Sequence, residues 1–104
     1  MAESSENCPI GAAIDILRGK WKITILWQLL EHDRPVRFGE LKRLVSGITE
    51  KMLIQQLREL EKDGLIERKD YQENPPRVEY QPSALGRELA LVFSALDTWG
   101  RKIK

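Results

Sequence analysis

The chain has 104 residues, 41% of them hydrophobic and 32% charged, with a formal net charge of +1. That length holds one domain with one modest core. The near-zero balance excludes a global basic field, so any binding to nucleic acid has to come from local patches.

Residues 1–7 are polar and acidic and read as a flexible arm; with no basic start and no apolar stretch, no signal peptide is expected there. No apolar run is long enough to span a bilayer, so no membrane partner is expected. The single cysteine, Cys8, forms no internal disulfide and suits a reducing, cytoplasmic setting. Pro9 then opens a short helix in which Ile10, Ala13, Ile14 and Leu17 repeat at helical spacing. Arg18-Gly19 breaks it. Residues 20–31 are apolar nearly all round and are read as a core helix. Its basic start, Arg18 to Lys22, fits either a solvated helix end or a phosphate clamp. His32, where this helix ends, reads as a partner of its C-terminal dipole or as plain surface. No second ligand stands at useful spacing from it, so no metal and no cofactor are expected.

Val36-Arg37 reads as a short strand. Residues 38–45, the turn Ser46-Gly47-Ile48 and residues 49–63 read as a helix-turn-helix, on the turn length and its central glycine. In the second of these helices Leu53, Leu57 and Leu60 share one face, and Lys51, Gln55, Arg58 and Lys62 share the opposite one. Thr49 is placed as N-cap, Ile48 as a staple onto Leu53, and Gly64 as the left-handed terminator. A leucine back and a Lys/Gln/Arg front suit a core on one side and a groove of base edges and phosphates on the other. An ordinary amphipathic surface helix has the same pattern, and its neighbours decide between the two.

Those neighbours are two β-rich runs, 65–71 and 77–82, flanking the polar, Pro-rich link 72–76. They read as a hairpin with a stiff tip, a wing on the helix-turn-helix. Arg68, Lys69 and Arg77 put positive charge along it, while Leu65, Ile66, Val78 and Tyr80 could complete the core. Residues 83–104 read as one helix capped by Ser83. Leu85, Leu89, Val92, Leu96, Trp99 and Ile103 follow at alternating spacings of four and three, and Phe93 widens the stripe. Such a seam wants a partner helix. With Ile10 and Ile14 it is read as a dimer interface in preference to packing within the chain. The fold class is therefore α+β, mainly α. It is a winged helix-turn-helix, one domain over 1–104, with extra N- and C-terminal dimerisation helices.

The words along this order are more specific than the order. Cys8-Pro9-Ile10, Gly19-Lys20-Trp21, Arg37-Phe38-Gly39-Glu40-Leu41 and Ile48-Thr49-Glu50-Lys51-Met52-Leu53 are followed by Gln56 to Ile66, then Val78-Glu79-Tyr80 and Leu85-Gly86. Together, over roughly residues 8 to 100, they resemble the HxlR family of bacterial transcription regulators, relatives of the MarR type. The resemblance implies a cytoplasmic homodimer bound to a pseudo-palindromic operator in double-stranded DNA. A recognition helix over 49–62, starting at Thr49, would enter the major groove. A wing over 71–78, with Asn74 and Arg77, would lie along the backbone or minor groove. It also implies a sensor of oxidants or electrophiles at Cys8, because several members carry a cysteine at that place. With no second cysteine, only a dimer-bridging disulfide, a mixed disulfide or alkylation remains for it. A small buried hydrophobe is the plain alternative for Cys8. A pocket for a small-molecule effector could lie between the Trp21/Trp27 helix and the Trp99 helix, although three tryptophans more often serve core and interface.

Base reading needs paired hydrogen bonds. Arg58 is placed to grip guanine and Gln55 or Gln56 adenine, each worth roughly 1–3 kcal/mol of discrimination. Gln56 leans toward the core and ranks below Gln55. Lys42, Arg43 and Arg77 are better placed for phosphates. An enzyme is not expected: the chain shows no Gly-rich phosphate loop and no Ser/His/Asp set. The rival reading is a winged helix used for protein contact without sequence-specific DNA binding. Aliphatic or aromatic anchors on the front of the 49–63 helix would mark it.

Overall fold

Among the described residues, 8–104, the computed structural model runs α1 (Pro9–Leu17), α2 (Lys22–Glu31), β1 (Val36–Arg37), α3 (Phe38–Leu44), α4 (Glu50–Lys62), β2 (Ile66–Asp70), β3 (Val78–Pro82), α5 (Ala84–Arg87) and α6 (Ala90–Ile103). The arm expected at 1–7 lies outside the described residues.

The core gathers around α2 and α4. Ile25, Leu26 and Leu29 of α2 are buried with Leu41 of α3 and with Leu53, Leu57 and Leu60 of α4. The leucine face of α4 thus shares one buried cluster with Leu41 of α3, and Ile48, buried ahead of the cap, belongs to it too. Gly64 closes α4 at φ +79°. Its N–H bonds Glu61 O at 3.0 Å and the Leu65 N–H reaches back to Leu60 O at 3.0 Å, so the last carbonyls are answered before β2 begins.

The sheet is antiparallel in the order β1-β3-β2. β3 is central: Val36 pairs with Tyr80, and Arg68 pairs with Tyr80 on the other side. The hairpin therefore both supports and projects. Leu65, Ile66 and Tyr80 are buried in the core and Val78 packs against it, while Arg68 and Lys69 stay exposed. Helix-turn-helix followed by this hairpin makes the chain a winged helix.

The C-terminal segment differs from the expected single helix. Ser83 caps α5 by accepting from the Gly86 N–H at 3.0 Å, and its hydroxyl donates to Gly64 O at 2.5 Å. Then Glu88 N–H bonds Leu85 O and Leu89 N–H bonds Gly86 O, a tightened turn that parts α5 from α6. Two packing demands force the break. Gly86 is buried against the backbone of Leu65, so close that a Cβ there would collide with the Leu65 carbonyl. Phe93 must reach α2, where its ring meets Trp27 edge-on at 6.3 Å between centroids. Phe93, expected in the dimer stripe, is accordingly a core residue at 3% exposure, and Leu89 is half-buried against the same core.

Around these two anchors the stripe remains open. Leu85, Val92, Leu96, Trp99 and Ile103 are exposed, as are Ile10 and Ile14 on α1, a helix that buries no residue of its own. Leu91, at 83%, is the most exposed of the large apolar side chains among the described residues, and it stood outside the expected stripe.

Candidate nucleic-acid interface

α4 is held rigidly at the end that would enter a groove. Thr49 Oγ1 accepts from the Met52 N–H at 3.1 Å, the N-cap bond expected of it. The buried stripe on one side turns Lys51, Gln55, Arg58 and Lys62 outward, and all four are exposed. Gln56 does not join them. At 9% exposure it is turned into the body of the domain, because it stands three residues after Leu53 and four before Leu60, at the edge of the leucine face. A base edge cannot be read from there, which corrects its place among the candidates. Gln55 is exposed, but its Nε2 already donates to Glu59 Oε2 at 3.2 Å.

Glu59 has a second donor. Lys22 Nζ lies 2.7 Å from Glu59 Oε1, with the lysine side chain buried. Lys22 is thus a strut between α2 and α4, and the phosphate clamp considered for 18–22 loses that member. The Lys22 bond, then the Gln55 bond, holds the Glu59 carboxyl below its ordinary range. Nearby, Arg34 makes a two-pronged bond to Glu40 at 3.0 and 2.6 Å, and this likewise lowers the Glu40 carboxyl. His32 Nδ1 sits 2.8 Å from Gln28 O at the end of α2, as a helix-end partner should.

Between α4 and the wing lies a cleft of about 750 Å3. Arg37, Arg58, Arg68 and Arg77 line it against one carboxylate, Glu61, with Ile54, Phe38 and Pro76 among the apolar walls. Among the described residues Arg58 pairs with no carboxylate, whereas Arg77 pairs with Glu73 at 3.1 Å and Arg68 with Asp70 at 3.6 Å. Sequence reasoning missed Arg37 and Ile54. Arg37 is brought to the cleft only by the β1–β3 pairing, whereas Ile54 is visible in retrospect as an aliphatic residue outside the leucine stripe.

The wing is stiffened by its own chemistry. The Arg77 guanidinium stacks 3.6 Å from the centroid of the Tyr71 ring. The Tyr71 hydroxyl donates to Glu79 Oε1 at 2.8 Å, and that bond, with burial, raises the Tyr71 pKa above its ordinary value. Glu79 in turn faces Arg37 at 3.9 Å. Asn74 stands exposed at the tip. On α3, Arg43 is exposed and Lys42 half-buried in the last turn, on the helix that precedes α4.

A second hollow, of about 390 Å3, is lined mainly by polar residues and lies on the wing between Arg68, Lys69, Glu67 and Glu79; two others are mainly apolar. One of about 250 Å3 lies between α2 and α6, lined by Trp27, Phe93 and Leu96. Another of about 330 Å3 lies between α1 and α5–α6, lined by Leu17, Leu85 and Val92. Among the described residues no helix is long and apolar enough to cross a membrane.

Comparison with known proteins agrees with this architecture. The HxlR-like helix-turn-helix family pattern matches residues 16–104. YdeP of Bacillus subtilis strain 168, an HTH-type transcriptional regulator, is 42% identical over 103 residues, which cover 99% of this chain and 79% of YdeP. A chain from Porphyromonas gingivalis W83, described as a MarR-family transcriptional regulator, superimposes with a TM-score of 0.87 at 40% identity, covering 97% of each chain. The redox regulator HypR in its reduced form superimposes with a TM-score of 0.83 at 36% identity, covering 90% of this chain and 91% of that one. Winged helix, capped outward-facing helix, family pattern and relatives converge: the chain belongs to the HxlR-like helix-turn-helix family of DNA-binding transcriptional regulators.

Proposed function

We propose that the chain acts as a homodimer on a two-fold symmetric duplex site, with α4 in the major groove and the wing against the backbone. The observation that carries this is Arg58. It is exposed, unpaired among the described residues, and opens onto a cleft whose other cations are Arg37, Arg68 and Arg77. In this reading Arg58 reads guanine and Gln55 exchanges its bond to Glu59 for one to adenine. Lys42, Arg43, Thr49, Lys51, Asn74 and Arg77 hold phosphates. The exposed apolar residues of α1 and α6 support the dimer, since a monomer rarely leaves so many large side chains together in water. Equivalent helices would then read half-sites about 10 base pairs, or a multiple of that, apart.

The test is selection from a random duplex pool under reducing conditions, for wild type and for Gln55→Ala/Arg58→Ala. A symmetric site enriched by wild type and lost by the variant is expected. No enrichment by wild type at low salt would leave protein contact as the better reading.

We further infer that Cys8 tunes this binding under oxidants or electrophiles. It is the N-cap of α1 and is partly exposed, on the helix proposed to meet its partner copy, and the similar HypR is described as a redox regulator. Wild type should lose or change its DNA complex on treatment with diamide, and Cys8→Ser should not. Equal responses would refute the role.

A further inference from the structure

One large aliphatic side chain of α4 lies outside the buried stripe. Leu53, Leu57 and Leu60 are enclosed, whereas Ile54 is 37% exposed. It stands three residues from Lys51 and four from Arg58, so the three share one row of the helix surface. It lines the arginine cleft beside Arg58. Ile54 thus stands at the border between the leucine face and the cationic face, partly covered by the domain and partly open to the cleft beside Arg58.

A base edge in the major groove offers one apolar feature, the C5 methyl of thymine. We propose that Ile54 is a specificity-determining residue that packs on a thymine methyl in each half-site, next to the base pair engaged by Arg58. This rests on the proposed entry of α4 into the major groove. The division of labour follows from chemistry. Lys51 and the cleft arginines attract phosphates whatever the sequence, and Arg58 reads hydrogen-bonding edges. Ile54 separates thymine from cytosine, whose C5 carries only hydrogen, by burying apolar surface that would otherwise face water.

The experiment begins from the duplex selected above. Each thymine is replaced in turn by deoxyuridine, which removes only the methyl, and affinity is read by fluorescence anisotropy for wild type, Ile54→Val, Ile54→Ala and Arg58→Ala. One thymine per half-site should weaken wild-type binding about fourfold per site when its methyl is lost. Ile54→Ala should bind the thymine and uridine duplexes alike, and Ile54→Val should keep part of the difference. Arg58→Ala should bind more weakly yet keep the uridine effect. Uridine without effect at every position, or Ile54→Ala discriminating as wild type does, would overturn the assignment. Failure of the underlying reading looks different, because the initial selection then enriches no site. Ile54→Val with wild-type circular dichroism and melting excludes unfolding as the cause of any loss.

Discussion

Glu59 takes hydrogen bonds from two directions, from Lys22 beneath and Gln55 beside it. Its carboxyl, like that of Glu40 under Arg34, is held below the ordinary glutamate value of about 4.3. A depressed carboxylate favours the fold only while ionised. Its contribution is complete above the unfolded value and fades as pH falls through the folded one. Urea midpoints of wild type should therefore drop as pH is lowered from about 5 toward 3. Glu59→Gln should show a shallower drop, and parallel curves for the two proteins would contradict the pairing. The same strut explains why Lys22 was misread from sequence. Its partner lies 37 positions away on another helix, and no local pattern announces a lysine that folds inward to meet it. Gln56, ranked below Gln55 because it leans toward the core, is turned in further than that ranking allowed. Its amide is polar, but it borders the leucine face beside Leu60, and position wins over polarity.

At the scale of elements, those with local chemical markers were legible. Thr49, Gly47 and Gly64 fix where α4 starts, how the chain turns into it and where it stops, and the cap bond and positive φ values stand where those residue types require them. The hairpin was legible from its two β-rich runs. β1 was expected as a strand, but its pairing with β3, and with it Arg37 at the cleft, is a tertiary fact. The break between α5 and α6 was hidden, since the four-three spacing of leucines runs straight through it. It arises from Gly86 lying on the Leu65 carbonyl, a contact no spacing encodes. Gly86→Ala should thus be costly despite its good helix propensity. Because backbone opposes the new methyl, destabilisation of about 3 kcal/mol and a melting loss of 10 °C or more are expected by thermal circular dichroism. A melt within about 2 °C of wild type would mean that the α5 seat is soft.

For the whole molecule, the apolar faces of α1 and α6 matter most. Trp99 is more than half exposed and belongs to the same stripe as Val92, Leu96 and Ile103. In the proposed dimer a carboxylate at this place would be drawn from water into an apolar stripe, which costs its hydration. Trp99→Glu should sediment as a monomer at micromolar concentration while keeping the wild-type circular dichroism spectrum. Wild type should sediment as a dimer, and a wild-type monomer would remove the two-fold reading of the operator. The variant should also bind DNA far more weakly, because each head then binds alone and loses the effective concentration that tethering supplies.

The aromatic contact between Trp27 and Phe93 has a consequence of another kind. Phe93 is the only residue of α6 that is buried, so in the proposed dimer it would act as the rivet of a pair of callipers. The jaws would be the two copies of α4, the arms the two copies of α6, and the span they measure the gap between half-sites. A stiff rivet makes the instrument sensitive to that gap; a loose one makes it forgiving. Phe93→Leu should therefore leave the preferred bases of each half-site unchanged. The same protein should accept spacers one base pair longer or shorter than those wild type selects.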